Sequence, residues 1–303
     1  MTSFVVTCIG HDDVLPLCKI DLIIEQIKSA VSDVFTVSDK TKRLAENTID
    51  IYICSSSETT WLELKEQLKS VIFCHSDVDI IVQLDNEFRH KKLIVFDMDS
   101  TLIYQEVIEL IAAYADVEDE VRDITERAMN NELDFKQSLR ERVKLLKGLK
   151  IEHLYDEIKQ KLLITNGVPE LCERLHANGC KLAVLSGGFV PFANYIKEQL
   201  HLDFARANVL ETDDQGLLTG VTTGPVVDGE LKAQTLLQLC EEYGIPREAS
   251  CMVGDGGNDL PAMAAAGFGV AWNAKPKVQE LAPARLNTSS MINLLHVFGY
   301  NTK

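Results

Sequence analysis

The 303-residue sequence lacks features that would assign it to several common classes of protein. It has no run of about 18 apolar residues, so no transmembrane helix is predicted. Its first residues, MTSFVVTCIGHDD, carry no basic stretch before Asp12 and Asp13, so a secretory signal is not expected. Basic residues are scarce, with 30 Lys and Arg against 46 Asp and Glu, a net charge of -16. A field of that sign repels nucleic acid and anionic membranes, and neither is expected as a partner.

The thiols and imidazoles also lack the spacing of a metal site. The seven histidines show no paired spacing, and the eight cysteines contain no CxxC pair and lie mostly in apolar surroundings. We therefore expect reduced thiols in a cytoplasmic protein. The chain has 46% hydrophobic and 25% charged residues, close to the globular average, and is long enough for one large domain or two ordinary ones.

The stretch LIVFDMDST, residues 93–101, places two carboxylates at the end of a short hydrophobic strand. Packing alone gives no reason for Asp97 and Asp99 there. Residues i and i+2 of an extended chain point the same way, so both carboxyl groups can converge at the mouth of a sheet. That volume suits a metal ion and a phosphate. Because the net charge would repel a phosphate ester, an enzyme for such a substrate needs a cation and a lysine in its site.

Residues 1–90 are predicted to form a small α+β domain of order β-α-β-β-α-β. The strands are predicted at 3–9, 34–37, 48–56 and 77–84, and the helices at 22–31 and 60–73. The charged segment 85–92 is predicted to be a linker.

Residues 91–303 alternate strands with helices, which predicts an α/β domain with a doubly wound parallel sheet. Only helical spacing occurs at about 104–165, so a helical cap is expected to be inserted there. Asp134 and Gln137 predict a capping box at the start of one cap helix. Gly187 and Gly188 are predicted to form a turn. The other predicted elements include strands at 181–186, 250–256, 269–272 and 284–288, a hairpin at 204–220, and helices at 168–179, 189–200, 231–244 and 259–267.

Four polar clusters lie at or near the ends of candidate strands of this sheet. They are Asp97 with Asp99, the turn 186–188, Lys232 at a helix start, and 254–259. Each cluster alone is also typical of a helix cap, a plain turn, a solvated lysine or a calcium loop. Because the carboxyl ends of parallel strands meet at one edge of a sheet, we expect the clusters to lie together.

Together these clusters supply what phosphoryl transfer to a carboxylate requires. Asp97 is the candidate nucleophile, and Asp97 with Asp255 can hold Mg²⁺. Ser186 and the Gly187 N–H can donate to the phosphate, and Lys232 supplies a fixed positive charge. Asp99 is the candidate general acid and base.

The DMDST segment, the SGG turn, the helical lysine and GDGGND resemble the four motifs of the haloacid dehalogenase superfamily, over residues 93 to about 280. Within it the likeness is to the phosphoserine phosphatases. The resemblance implies an aspartyl-phosphate intermediate on Asp97, with Asp99 as acid and base. It also implies Mg²⁺ bound by the Asp97 carboxylate, the Asp99 backbone carbonyl and Asp255. Gly257 departs from the family, which often has alanine there.

The resemblance also assigns the residues around the substrate. It implies a phosphate site made by Ser186, Gly187, Lys232 and Asn258, with Asp259 behind the metal. For O-phospho-L-serine, it implies Glu106 at the ammonium and Arg142 at the carboxylate, with Met129 and Phe135 as apolar walls. Without the resemblance, these four cap residues are typical of core or of a solvated helix. The implied reaction is the last step of serine biosynthesis.

Three questions stay open on the sequence alone. Residues 1–90 resemble ACT-like regulatory modules but carry no specific ligand signature, so an appendage or dimerisation unit, and hence a homodimer, is an equal alternative. A phosphatase or phosphotransferase for another small phosphate ester would use the same motifs. A phosphoaspartate signalling protein also uses an aspartate, Mg²⁺ and a lysine, but Asp99 is placed to hydrolyse its phosphoaspartate quickly.

Overall fold

The structure is a computed structural model that describes residues 2–129 and 132–301, with Met129 described by its backbone only. It contains a four-stranded sheet near the N-terminus and a seven-stranded sheet in the rest of the chain. Among these residues, no helix combines the length and the apolar character needed to cross a membrane.

The N-terminal sheet is antiparallel, and helices cover one of its faces. Its strands are β1 (Thr2–Gly10), β2 (Phe35–Ala45), β3 (Thr48–Ser55) and β4 (Val78–Leu84), in the order β2-β3-β1-β4. The helices are α1 (Leu17–Ala30), α2 (Trp61–Gln67) and α3 (Lys69–Cys74). The βαββαβ order is the predicted one, although β2 is longer than expected and the second helix is interrupted at Leu68.

The other face of this sheet contacts the rest of the chain. Ile9 and Ile81 are buried in the same hydrophobic cluster as Leu294 and Val297. The segment predicted to be a linker contains a single 3-10 turn, and its Arg89 is buried. The second face of the four-stranded sheet thus contacts the rest of the chain through apolar residues and through buried polar residues such as Asp50 and Gln83.

The seven-stranded sheet confirms the predicted α/β fold. Its strands are β5 (Leu93–Phe96), β6 (Lys181–Phe189), β7 (Phe204–Thr212), β8 (Leu218–Thr223), β9 (Ser250–Gly254), β10 (Phe268–Trp272) and β11 (Ala284–Leu286). Their order is β11-β10-β9-β5-β6-β7-β8, and every pair is parallel except the β7-β8 hairpin. The four residues of β5 are fully buried at the centre, which explains their apolar character.

Four helices form the insertion between β5 and the next helix of the sheet domain. They are α4 (Val107–Ala113), α5 (Glu118–Met129), α6 (Phe135–Leu145) and α7 (Leu154–Lys159). The two connections to this cap pair with each other at Ile103 and Ile164. The predicted capping box is present at the start of α6, where Asp134 accepts from the Gln137 N–H at 2.8 Å and Gln137 accepts from the Asp134 N–H at 3.0 Å.

The remaining helices pack against the sheet. They are α8 (Val168–Ala177), α9 (Val190–Gln199), α10 (Gly229–Tyr243), α11 (Leu260–Ala265), α12 (Pro276–Leu281) and α13 (Leu294–Val297). The predicted turn at Gly187 and Gly188 is wrong, because β6 continues through both glycines to Phe189. The pairing register between β6 and β7 shifts between Leu185 and Phe189, so the strand is irregular where the two glycines lie.

Candidate active site

The first cluster follows β5, where the chain leaves the sheet and turns sharply. The Asp97 N–H continues the ladder to Val253 O at 2.9 Å, and the Asp97 Oδ1 accepts from the Met98 N–H at 2.7 Å. Ser100 then takes a left-handed conformation with φ 54°, which reverses the chain directly after Asp99. The turn keeps both aspartates at the carboxyl edge of the central strand.

Lys232 joins two of the predicted clusters. Its Nζ lies 2.8 Å from Asp97 Oδ2 and 2.7 Å from Asp259 Oδ1, and its side chain is fully buried. Burial alone would lower the pKa of Lys232, but the Asp259 and Asp97 carboxylates outweigh it and raise the pKa above its ordinary value. The ammonium is therefore permanently charged and fixed against the candidate nucleophile.

Three carboxylates form a cluster that fits a hard divalent cation. Oxygens of Asp97, Asp255 and Asp259 lie within 4.8 Å of one another. Burial, followed by the charges of Asp259 and Asp97, raises the pKa of Asp255 to about 8. Burial and mutual repulsion thus oppose ionisation of Asp255 and Asp259, and a bound cation would relieve that opposition. A carboxylate donor set suits Mg²⁺ better than a thiolate-binding metal. Asp259, predicted to lie behind the metal, belongs to this cluster and also bonds Lys232.

Asp99 lies beside this cluster but has a different environment. Its Oδ1 accepts from the Val107 N–H at 3.3 Å. Its removal from solvent, and then the charges of Glu106 and Asp97, raise the pKa of Asp99 well above the ordinary aspartate value. The two carboxylates of the motif therefore differ, with Asp97 held by a lysine and Asp99 facing other acids.

The glycine pair of β6 is in close contact with both the cap and the first cluster. A Cβ at Gly187 would lie 2.7 Å from Phe135 Cζ and 3.7 Å from Asn258 Nδ2. The Ser186 hydroxyl is buried and accepts from the Gly188 N–H at 2.8 Å. Ser186, Gly187 and Asn258 therefore lie close together, and the end of the Phe135 ring lies against Gly187.

The predicted substrate residues of the cap lie near the same carboxylates. Glu106 precedes α4 and accepts from the Ser100 hydroxyl at 2.7 Å. Partial burial raises the pKa of Glu106, as does the charge of Asp97. Arg142 lies on α6. Burial lowers the pKa of Arg142, and the negative charges of Glu106 and Asp99 raise it by a smaller amount. The side chain of Met129 lies outside the described part of the chain.

Three polar side chains of the site were missed in the sequence. Thr101 donates to Asp255 Oδ1 at 3.1 Å, and Ser100 orients Glu106. Both are within the DMDST motif, which was the available signal. Asn208 on β7 donates to Gly187 O at 2.8 Å and accepts from the Val227 N–H at 2.8 Å. Nothing local marks Asn208, because its role depends on the neighbouring strand.

A family model and a relative of similar length both match this chain. A family model described as haloacid dehalogenase-like hydrolase matches residues 91–267. The chain is 63% identical over 302 residues to the phosphoserine phosphatase of Saccharomyces cerevisiae, which covers 99% of this chain and 97% of that protein.

Solved structures agree with the sequence relatives. The probable phosphoserine phosphatase from Vibrio cholerae, in its unliganded form, has a TM-score of 0.69 and 36% identity, covering 99% of this chain and 87% of that chain. A phosphoserine phosphatase solved as a phospho-aspartyl intermediate analogue has a TM-score of 0.64 and 42% identity, covering 68% of this chain and 98% of that chain.

Proposed function

The chain belongs to the haloacid dehalogenase-like hydrolase family, and from this premise we propose that it hydrolyses O-phospho-L-serine to L-serine and phosphate, the last step of serine biosynthesis. The observation that carries the proposal is the position of Asp97. Its carboxylate is fixed by Lys232 and by a backbone N–H, next to Asp99 and below the cap residues Glu106 and Arg142. This arrangement supports one site with Asp97 as nucleophile, Asp99 as proton donor, and Glu106 and Arg142 as the charges that bind an amino acid.

Two steps follow from this arrangement. In the first, an Asp97 oxygen attacks phosphorus, the bond from phosphorus to the seryl oxygen breaks, and Asp99 gives its proton to that oxygen. In the second, water attacks the aspartyl phosphate, Asp99 takes the proton from the water, and the Asp97 carboxylate is released with inorganic phosphate. Lys232 balances the negative charge of Asp97 and of the phosphoryl oxygens throughout.

Mg²⁺ is the proposed cofactor. Asp97, Asp255 and the Asp99 backbone carbonyl would hold it, with Asp259 oriented behind them by Lys232 and by the Gly256 N–H. Bound there, the ion would neutralise charge on the phosphoryl oxygens. The close approach of the Asp97, Asp255 and Asp259 carboxylates, within 4.8 Å of one another, supports this assignment.

Recognition of the substrate is divided between the sheet and the cap. Ser186, the Gly187 N–H, Lys232 and Asn258 would bind the phosphate. Glu106 would bind the ammonium and Arg142 the carboxylate, in the bidentate geometry that guanidinium favours. Phe135 and Met129 would form the apolar walls.

The remaining features of the proposal concern the whole protein. We propose a phosphatase domain from about residue 91, with the cap at about 104–165, and an ACT-like domain at 1–90. The eight free cysteines support a reducing compartment such as the cytoplasm. We also propose a homodimer, and sedimentation of the full-length protein would test this oligomeric state.

The function is tested by phosphate release from a panel of small phosphate esters. We expect release from phosphoserine by the full-length protein with Mg²⁺, no release in excess chelator, and restoration when Mg²⁺ is added back. Asp97→Asn should abolish release while circular dichroism and thermal unfolding stay unchanged. Activity in that variant or in chelator would exclude the proposed nucleophile or cofactor, and a preference for another ester would exclude phosphoserine.

A further inference from the structure

An ion pair connects the cap to the sheet domain close to the proposed substrate site. Lys136 Nζ on α6 lies 2.8 Å from Asp228 Oδ2, in front of α10. The Lys136 side chain is 57% exposed and that of Asp228 16%, so the pair is partly open to solvent and its strength depends on ionic strength. Such a pair contributes little to overall stability, but it can bias how two parts of a protein sit against each other.

The two carboxylate oxygens of Asp228 bind different groups. Its Oδ1 accepts from the Leu231 N–H at 2.9 Å and caps α10, while Oδ2 takes Lys136. One turn further along α10 is Lys232, which binds Asp97. The same helix start lies tightly against the 254–259 loop, because a Cβ at Gly229 would be 2.7 Å from Asn258 O. Asp228 therefore belongs to the rigid support of the phosphate end of the site.

Lys136 lies on α6 between Phe135, the proposed apolar wall, and Arg142, the proposed carboxylate ligand. Phe135, its neighbour, lies against Gly187, and Arg142 follows two turns after Phe135 on the same face of α6. A tether at Lys136 thus fixes the start of α6 relative to α10. The distance between the phosphate residues and the Arg142 guanidinium follows from that placement.

We propose that Lys136 and Asp228 are a positioning pair that holds α6 at the distance needed to bind both ends of phosphoserine. This inference rests on the proposed function and adds a residue pair that touches neither substrate nor metal. It predicts that loss of the pair weakens recognition of the amino-acid end and leaves phosphoryl transfer largely intact.

The test compares full-length wild type, Lys136→Met, Lys136→Arg, Asp228→Asn and the double variant Lys136→Met/Asp228→Asn. Asparagine keeps the helix cap of α10. We expect each single loss to raise KM for phosphoserine about two- to fivefold, with kcat changed less than about twofold. The KM of the double variant should not exceed that of the more impaired single variant, because both changes remove the same pair. The KM of Lys136→Arg should be near the wild-type value, and high salt should raise the wild-type KM towards the KM of the variants. Hydrolysis of p-nitrophenyl phosphate, which lacks the ammonium and carboxylate, should change less than about twofold.

Lys144→Met is the matched control, because Lys144 is an exposed lysine near the end of the same helix. Equal kinetics of Lys136→Met and Lys144→Met, additive losses in the double variant, or equal losses on both esters would overturn the proposal. Equal losses of activity on phosphoserine and on p-nitrophenyl phosphate would instead indicate that Asp228 acts through Lys232. Hydrogen exchange of the α6 amides gives a test that does not depend on activity, and we expect faster exchange in Lys136→Met but not in Lys144→Met. If wild type fails to hydrolyse phosphoserine, that result contradicts the proposed function alone, and the exchange measurement still tests the pair.

Discussion

At the residue scale, two glycines of β6 leave space for the ring of Phe135 and the carboxyl group of Asp99. A Cβ at Gly187 would lie 2.7 Å from Phe135 Cζ, and a Cβ at Gly188 would lie 2.7 Å from Asp99 Oδ2. Neither glycine has a positive φ, so a close approach rather than backbone conformation requires them. The residues that give way to an added methyl would be Phe135 and Asp99.

Gly187→Ala is therefore expected to impair substrate binding more than folding. The methyl group would push the end of the Phe135 ring away, and α6 with it. We expect kcat/KM for phosphoserine to fall at least about tenfold while the melting temperature changes by only a few degrees. Gly257→Ala is the control, because a Cβ there meets nothing within 4 Å, and it should stay within about twofold of wild type. Wild-type kinetics in Gly187→Ala would show that the ring moves freely.

At the scale of the elements, α6 carries the cap side of the proposed site. Phe135, Lys136 and Arg142 all lie on it, and a capping box fixes its first turn. The same motif begins α2 in the N-terminal sheet domain, where Thr60 and Glu63 exchange the two bonds. Among the described residues, α2 and α6 thus begin with the same capping box, and that of α6 lies near the proposed site.

Asp134→Ala and Thr60→Ala should separate the stability of a helix from its functional role. Each removes a side-chain cap, so each should lower the free energy of unfolding by about 1 kcal/mol, measured by urea titration. Only Asp134→Ala should also raise KM for phosphoserine, because fraying of the first turn displaces Phe135. A raised KM in Thr60→Ala, or an unchanged KM in Asp134→Ala, would contradict this role of the α6 cap.

At the scale of the whole molecule, a buried ionic network joins the four-stranded sheet to the C-terminal helix α13. Arg89 binds Asp50 with two bonds of 2.8 Å, and it also donates to Thr7 Oγ1, to His296 O and to Val297 O. Asp50 and Thr7 belong to the four-stranded sheet, whereas the two carbonyls belong to the C-terminal helix α13. The N-terminal domain is therefore an integral part of the fold, attached through buried charges.

Asp50→Asn is expected to be strongly destabilising. It leaves the Arg89 guanidinium buried without its counter-charge, which costs about 3 kcal/mol or more of unfolding free energy. Asp77→Asn is the control, because the Lys19 and Asp77 pair is exposed, and its loss should cost less than about 1 kcal/mol. Similar costs for both variants in urea titration would show that the buried network contributes no more than a surface pair.

His11 gives the stability of the N-terminal domain a pH dependence of known sign. Its Nε2 lies 3.0 Å from Asp79 Oδ2, and this bond raises the pKa of His11 above 6.5 against the opposing effects of burial and Arg285. A raised folded-state pKa stabilises fully below pH 6.5, and the contribution is lost as pH rises through the raised value. Urea titrations of wild type and His11→Gln should therefore show the wild-type advantage shrinking as the pH rises above 6.5. An advantage that is constant or grows with pH would contradict the assignment.

The sequence by itself determined most elements and which polar clusters lie together at the edge of the seven-stranded sheet. Periodicity is a local property, so the α/β alternation, the helical insertion and the Asp134 capping box could be predicted from neighbouring residues. The clusters at Asp97, Ser186 and Asp255 could be expected together because parallel strands end at one edge. The metal, substrate and reaction assigned to them remain proposals.

Only the tertiary structure decided how these groups face one another. The ring of Phe135 over Gly187, the contact of Asn208 with Gly187, and the pairs Lys136–Asp228 and Arg89–Asp50 join residues 21 to 92 positions apart in the chain. The strand continued through Gly187 where local composition predicted a turn, because pairing with β7 resumes at Phe189. Contacts of this kind depend on packing between elements, which no local spacing encodes.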